Sequence, residues 1–380
     1  MPIRRRLAAA PLILVLAGCS AGAPSHLAPS ASPAHPSPGT RPSPGPRSAA
    51  RRTAAAQDVT LAFAGDVNFA GRTARLLKHP LVAFRPIRPV LSAADFTAVN
   101  LETAVTTRGV PQPKQFHFRT TGKAFTAVRA AGIDLVTMAN NHVLDYGRIG
   151  LHDTLAAAHR ARFPYVGIGR NARAAWAPYV TTIRGVRIAV IGVSQVTELA
   201  SSWVATRTRS GEANAINVRR TLAAVRAARK RASVVIVFMH WGTEGQACPD
   251  SGQLSLAPRL AAAGASIIVG AHAHVLQGSG WLGHTFVAYG MGNFLWWEHS
   301  YSTDTGVLKL TLRPHRPLTA RFVPAVVSAT GQPVPLHGGR ARAPCSGTGW
   351  PVAETTAGTN LAVSGRCGRS VSFSTPVSVL

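Results

Sequence analysis

Apolar residues along this chain fall in short runs that close on polar ones. Residues 59–67 (VTLAFAGDV) form such a run, ending in Gly-Asp as a buried strand would. Residues 96–102 (FTAVNLE) repeat the form, and residues 134–139 (DLVTMA) run into Asn140-Asn141-His142. Residues 234–239 (VVIVFM) lead to His240-Trp241-Gly242, and residues 266–269 (SIIV) lead to Gly270-Ala271-His272-Ala273-His274. Residues 165–168 predict a further short strand, and residues 179–194 predict two strands joined by a turn at Arg184-Gly185. Stretches with helical spacing lie between them, at about 149–161, 218–231 and 254–263. Residues 285–289, 306–312 and 320–327 read as strands with no helix between them. This order predicts α/β layers with mixed sheets between helices. Open α/β sheets place ligands at the carboxyl ends of strands, where these polar clusters sit.

The two ends of the chain follow other rules. Residues 1–19 carry a positive start at Arg4, Arg5 and Arg6, a short apolar run, and the ending Leu16-Ala17-Gly18-Cys19. The apolar run is too short to span a bilayer and reads as a secretory leader. Its ending resembles the bacterial lipobox, which implies lipid modification at Cys19, anchoring to the cell membrane and an extracytoplasmic location. Residues 20–57 are rich in Ala, Pro, Ser and Gly and read as a disordered tether. The body is expected at 58–330, with a Gly/Ser/Thr-rich C-terminal extension at 331–380. An oxidising exterior permits a disulfide, and Cys248, Cys345 and Cys367 leave its pairing open.

Composition changes this picture in one respect. Hydrophobic residues make up 46% of the 380, so a sizeable core is available and wholesale disorder is excluded. Charged residues are only 14%, split as 41 basic against 14 acidic, for a formal charge of +27. Much of the excess is arginine, which fits a coding bias as well as a function, yet the balance still favours an anionic neighbour. With acids so scarce, Asp66 and Glu102 at the ends of apolar strands call for a reason. No nucleic-acid-binding motif appears, and the external location argues against that partner.

Taken singly, Gly65-Asp66-Val67-Asn68, Asn100-Leu101-Glu102 and Asn140-Asn141-His142 are ordinary turns or capped loops. His272 and His274 say more, because alternate residues of an extended segment face one side. Together with His240 the set offers two carboxylates, several Asn oxygens and four imidazoles. Mixed N/O donors of that number suit a pair of divalent ions such as Mn, Fe or Zn, with Asp66 and Glu102 as the strand-end acids able to bridge them.

The segments GDVNFAGR, VNLET, ANNHVLDYG, FMHWGTE, GAHAHVLQ and YGMGNFLW occur in this order. The chain thereby resembles the CapA family of poly-γ-glutamate capsule biosynthesis, over about residues 59–327. The resemblance implies a four-layer α/β/β/α sandwich of the metallo-dependent phosphatase type, with a metal centre at its edge. It implies Asp66, Glu102, Asn141, His240, His272 and His274 as metal ligands and His142 as the general acid. Asn68, Asn100, Glu244 and Asn293 are secondary candidates, and Tyr146, Trp241 and Trp296 are candidates for lining the cleft. Asp145 is expected to position the loop after His142. Two departures stand out. Asn68 occupies the place of a histidine usual in phosphoesterases, and Asn-Leu-Glu replaces their Gly-Asp. The resemblance also implies an anionic polymer such as poly-γ-glutamate as partner, and a membrane synthetase complex beside it. Two readings follow: an accessory of polymer synthesis, export or anchoring that keeps its metal site, or a metal-dependent hydrolase of phosphoesters or amide-like bonds.

Overall fold

The computed structural model describes residues 57–314 and 316–337, together with the two-residue strand Thr355–Thr356. The leader, Cys19, nearly all of the tether, Cys345 and Cys367 lie outside the described residues.

The main strands are β1 (Val59–Val67), β2 (Phe96–Leu101), β3 (Leu135–Thr137) and β4 (Tyr165–Val166). They continue as β5 (Tyr179–Ile183), β6 (Val186–Ser194), β7 (Val234–Trp241), β8 (Ile267–His272), β9 (Ser279–Leu282) and β10 (Thr285–Ala288). Last come β11 (Asn293–Leu295), β12 (Asp304–Leu312), β13 (Thr319–Val327) and β14 (Pro333–Pro335). The longer helices are α1 (Lys123–Ala130), α2 (Gly147–Ala161), α3 (Val218–Arg229) and α4 (Ser251–Ala262).

Two sheets form. The first runs β14-β13-β12-β1-β2-β3-β4, with β11 also on β1; the second runs β9-β10-β8-β7-β6-β5. Both are mixed: β1, β2, β3 and β4 are mutually parallel, while β12 runs antiparallel to β1. In the second sheet β6, β7, β8 and β10 are parallel, and β5 and β9 are antiparallel edges. Strand β14 lies inside the expected C-terminal extension, so the first sheet reaches past residue 330.

Side-chain alternation assigns the layers. Leu61 and Phe63 of β1 pack with Ile236 and Phe238 of β7 in one buried cluster between the sheets. Ala62 and Ala64 face the other way, against Phe125 and Val128 of α1 and Leu151 and Leu155 of α2. Val235, Val237 and Met239 face out from the second sheet, against Val225 of α3 and Leu256 and Leu260 of α4. The result is the expected four-layer α/β/β/α sandwich. Strands buried on both faces have no polar face to show, which is why β1 and β7 read as continuous apolar runs. Helix α4 starts at a capping box in which Asp250 accepts from the Gln253 N–H and the Gln253 side chain accepts from the Asp250 N–H.

One irregularity positions the site. Between Phe63 and Asp66 strand β1 advances three residues, while β2 advances two, from Ala98 to Asn100. Such a bulge re-aims the side chains beyond it. Gly65 sits within it, and a Cβ there would lie 1.8 Å from the Gly292 carbonyl oxygen, so only glycine permits the approach.

Candidate metal centre

The carboxyl ends of β1, β2 and β3 from one sheet, and of β7 and β8 from the other, meet at one edge of the sandwich. Asp66 lies at the end of β1, Glu102 follows β2, Asn141 and His142 follow β3, His240 lies on β7, and His272 and His274 end and follow β8. All seven are buried.

These residues form two overlapping groups. Asp66, Glu102 and His240 bring ligand atoms within 4.8 Å of one another, and so do Glu102, His272 and His274. Glu102 belongs to both. Its side chain is fully buried, yet neither carboxylate oxygen accepts a hydrogen bond within the described residues. A buried carboxylate left bare is costly unless a cation or a proton meets it. His272 Nδ1 is likewise buried without a partner. This donor set fits a divalent ion.

Asp66 is the keystone of the edge. Its Oδ1 accepts from Asn100 Nδ2 at 2.8 Å, and its Oδ2 accepts from the His272 backbone N–H at 3.1 Å. His274 Nδ1 lies 3.4 Å from the same Oδ2. Across the sheets, His240 Nε2 stands 2.9 Å from Asn141 Oδ1 and 3.5 Å from Glu102 Oε1. His272 and His274 both adopt left-handed backbone, with φ of 92° and 56°. Strain of that kind in non-glycine residues concentrates at functional sites.

Electrostatics follow from burial. Desolvation pushes the Glu102 carboxyl well above the usual carboxylate range, and the neighbouring charges of Asp66 and Glu244 push it the same way. Desolvation holds His240 and His272 well below the usual imidazole range, and crowding by other imidazoles adds to it. Both are neutral at neutral pH, the form that binds metal.

His142 stands beside this cluster in its own network. Its Nδ1 is 2.7 Å from Asp145 Oδ2, and its Nε2 is 3.9 Å from Glu102 Oε1. With Nδ1–H donated to Asp145, Nε2 presents its lone pair to the centre. Asp145 also accepts from the Phe118 N–H at 2.6 Å, so it fixes two segments at once. Burial lowers the His142 pKa, against the opposing pull of Asp145.

The secondary candidates divide. Asn68 donates from Nδ2 to the Glu102 carbonyl and accepts at Oδ1 from the Ala70 N–H, each at 2.8 Å, so both ends of its amide hold backbone. Asn100 ties Asp66 to Asn140, whose Nδ2 donates to Asn100 Oδ1 at 3.1 Å. Asn293 Oδ1 is 2.9 Å from His274 Nδ1 and orients that ring. Glu244 sits at the exposed rim, 3.9 Å from His274 Nε2, and accepts from the Tyr301 hydroxyl at 3.1 Å. Trp296 packs on His274 with ring centroids 4.5 Å apart. Trp241 does not line the cleft; it is fully buried and donates from Nε1 to the Tyr289 carbonyl at 2.8 Å. Tyr146 is also buried, under the Arg119 guanidinium.

Sequence reasoning passed over Lys114. Its side chain is 2% exposed, 3.2 Å from Asp145 Oδ1 and 3.0 Å from Glu198 Oε2, and it donates to the Asn141 carbonyl. Nothing in the local pattern marks it, because it lies in an irregular loop far in sequence from the motif it supports. Cys248, in the loop after β7, is disulfide-bonded.

Against this geometry stand the comparisons with known proteins. The family profile described as bacterial capsule synthesis protein PGA_cap matches residues 60–296. The chain belongs to this family. Over 261 residues it is 29% identical to the capsule biosynthesis protein CapA of Bacillus anthracis, covering 67% of this chain and 63% of that one. Over 215 residues it is 31% identical to the PGA biosynthesis protein CapA of Bacillus subtilis, covering 56% of each. A probable polyglutamine synthesis accessory protein of Mycobacterium tuberculosis is 31% identical over 192 residues, covering 48% of this chain and 50% of that one. The chain thus spans less than two thirds of the length of these curated relatives. Among solved structures, the NAD nucleotidase of Haemophilus influenzae aligns with a TM-score of 0.45 at 15% identity, covering 75% of this chain and 61% of that one.

Proposed function

We propose that this member of the capsule synthesis family is an extracytoplasmic, lipid-anchored accessory of poly-γ-glutamate-type polymer assembly, working through a two-ion centre. The observation that carries the reading is the shared Glu102: one bare, buried carboxylate belongs to both ligand groups. Asp66, Glu102, His240 and Asn141 would hold one ion, and Glu102, His272 and His274 the other. The location and the anchor rest on the leader and Cys19. The printed names of the relatives support the polymer role, and a polymer synthetase complex in the membrane is the neighbour that such a role calls for.

A second, hydrolytic reading is favoured by the His142–Asp145 pair beside Glu102. Bound divalent ions supply Lewis acidity toward a phosphoryl or carbonyl oxygen. Asp145 holds the His142 tautomer, and Nε2 is the proton-accepting atom of the resting site. His142 therefore delivers a proton to a leaving group only after taking one up, either from substrate or from water. Phe118 and Trp296 pack around His142 and His274 and limit water there.

The test is metal quantification on purified protein, paired with hydrolysis assays on phosphoesters and γ-glutamyl amides. About two ions per chain in the wild type, with losses in Asp66→Ala and His272→Ala, support the two-ion centre. A wild-type chain that holds no stoichiometric metal under metal-replete conditions defeats it. Turnover abolished by His142→Gln supports the hydrolytic reading, and no turnover on either substrate class removes it.

A further inference from the structure

Beyond the metal centre, a cleft of about 550 Å³ lies against the start of α2. Its polar lining is Arg148, His152, Arg170, Thr208, Arg209 and Ser210. No acidic residue lines it. Two of the guanidiniums are held by neutral groups. Arg148 Nη2 donates to the Ser202 carbonyl at 2.7 Å, and Arg209 Nη2 donates to the Ser201 and Val204 carbonyls at 3.2 and 3.3 Å. Arg170 makes no hydrogen bond or ion pair within the described residues. Carbonyls position a guanidinium without cancelling its charge, so this cleft keeps three cations and several unused N–H donors. His152 Nε2 and Ser210 Oγ, 3.0 Å apart, supply a further polar pair. The nearest acid in sequence, Asp153, is committed to Arg108 at 2.5 Å.

Two stretches of chain that line the cleft run on from residues of the site. Arg148 follows closely on the His142–Asp145 loop. The segment carrying Ser201, Ser202 and Arg209 also supplies Glu198 and Trp203, which hold Lys114.

We propose that this arginine cleft is a binding subsite for the carboxylates of an anionic polyamide such as poly-γ-glutamate. The proposal rests on the polymer role above and names where the chain meets it. A guanidinium fork matches a carboxylate, and three in one cleft take successive carboxylates of one strand.

The experiment is fluorescence anisotropy with a labelled γ-glutamate oligomer on full-length protein, over a salt series. Arg148→Gln with Arg170→Gln is compared with Arg219→Gln and Arg226→Gln. The second pair, exposed on α3, removes the same charge elsewhere. Expected is a loss of about tenfold or more in affinity for the cleft pair, with a shallower salt dependence, and little change for the α3 pair. Circular dichroism confirms that both variants fold. Equal weakening by both pairs, or tighter binding of polyphosphate of matched length, overturns the cleft assignment. If the wild type binds but the cleft pair binds equally well, the subsite fails while the polymer role stands. No binding by the wild type at low salt overturns both.

Discussion

Glu102 Oε1 lies 3.5 Å from His240 Nε2, and that carboxylate accepts no hydrogen bond within the described residues. A group shared by both ligand clusters has two separable consequences on substitution. Glu102→Gln is expected to lower metal content at both positions, whereas His272→Ala lowers it at one; elemental analysis distinguishes them. In metal-free protein the same change is expected to stabilise at high pH. The folded-state pKa of Glu102 is raised, so the folded chain keeps a proton that the unfolded chain loses above the usual carboxylate range. Stability then falls as pH rises, and Gln removes that loss. Melting temperatures of chelator-treated protein at pH 5 and pH 8 are the check. A variant less stable than wild type by the same margin at both pH values contradicts it.

Histidines give the opposite slope. His240 and His272 have lowered folded-state pKa values, so below the ordinary imidazole range the unfolded chain takes up protons that the folded one refuses. Stability is therefore lost as pH falls. His272→Asn tolerates the left-handed backbone and removes one titrating group. Between pH 7.5 and pH 5.5, the urea midpoint of metal-free His272→Asn should fall less than that of the wild type. Parallel falls would remove burial of the neutral imidazole as the cause.

The strands that build this site were legible because strands buried on both faces leave uninterrupted apolar runs. β1 spans the same residues 59–67 that its pattern predicts, and β6 and β7 fall within a residue or two of theirs. Polar residues ending such runs mark the ligand edge, since a polar group at the end of a buried strand needs a partner. Short elements carried no such signal. β9, with Gly280 and Trp281, and the three-residue β11 are too brief for periodicity to register. Helix α1 was passed over because alanines dilute its apolar face. Lys114 was invisible for a different reason: its partners Asp145 and Glu198 lie far along the chain, and only the fold assembles them.

Lys114 therefore offers a test of buried charge. Its ammonium faces Asp145, whose carboxylate is fully buried. Removing one partner of such a pair strands the other, at a cost of about 3–5 kcal/mol. Lys114→Met should lose stability on that order in urea denaturation. Adding Asp145→Asn should recover part of the loss, because the uncompensated charge is gone. Strict additivity of the two changes would show that the pair is not coupled.

The bulge at Gly65 links backbone geometry to the candidate metal centre. A Cβ at this position would fall 1.8 Å from the Gly292 carbonyl oxygen and 2.9 Å from that of Met291. Both obstacles are backbone, so no rotamer change relieves them. The Asp66 N–H donates to the same Gly292 oxygen at 3.0 Å, and Asp66 pairs in register with Asn293. Gly65→Ala must therefore separate β1 from β11 and carry Asp66 away from Asn100 and from the His272 N–H. Overpacking of this kind costs about 1–3 kcal/mol or more. The expected outcome is a folded but less stable chain that loses metal preferentially from the Asp66 group, measured by metal titration alongside thermal melting. Ala at the exposed, unobstructed Gly122, where a Cβ meets nothing within 4 Å, should leave both quantities unchanged. Unaltered metal binding in Gly65→Ala would mean that the bulge does not set the position of Asp66.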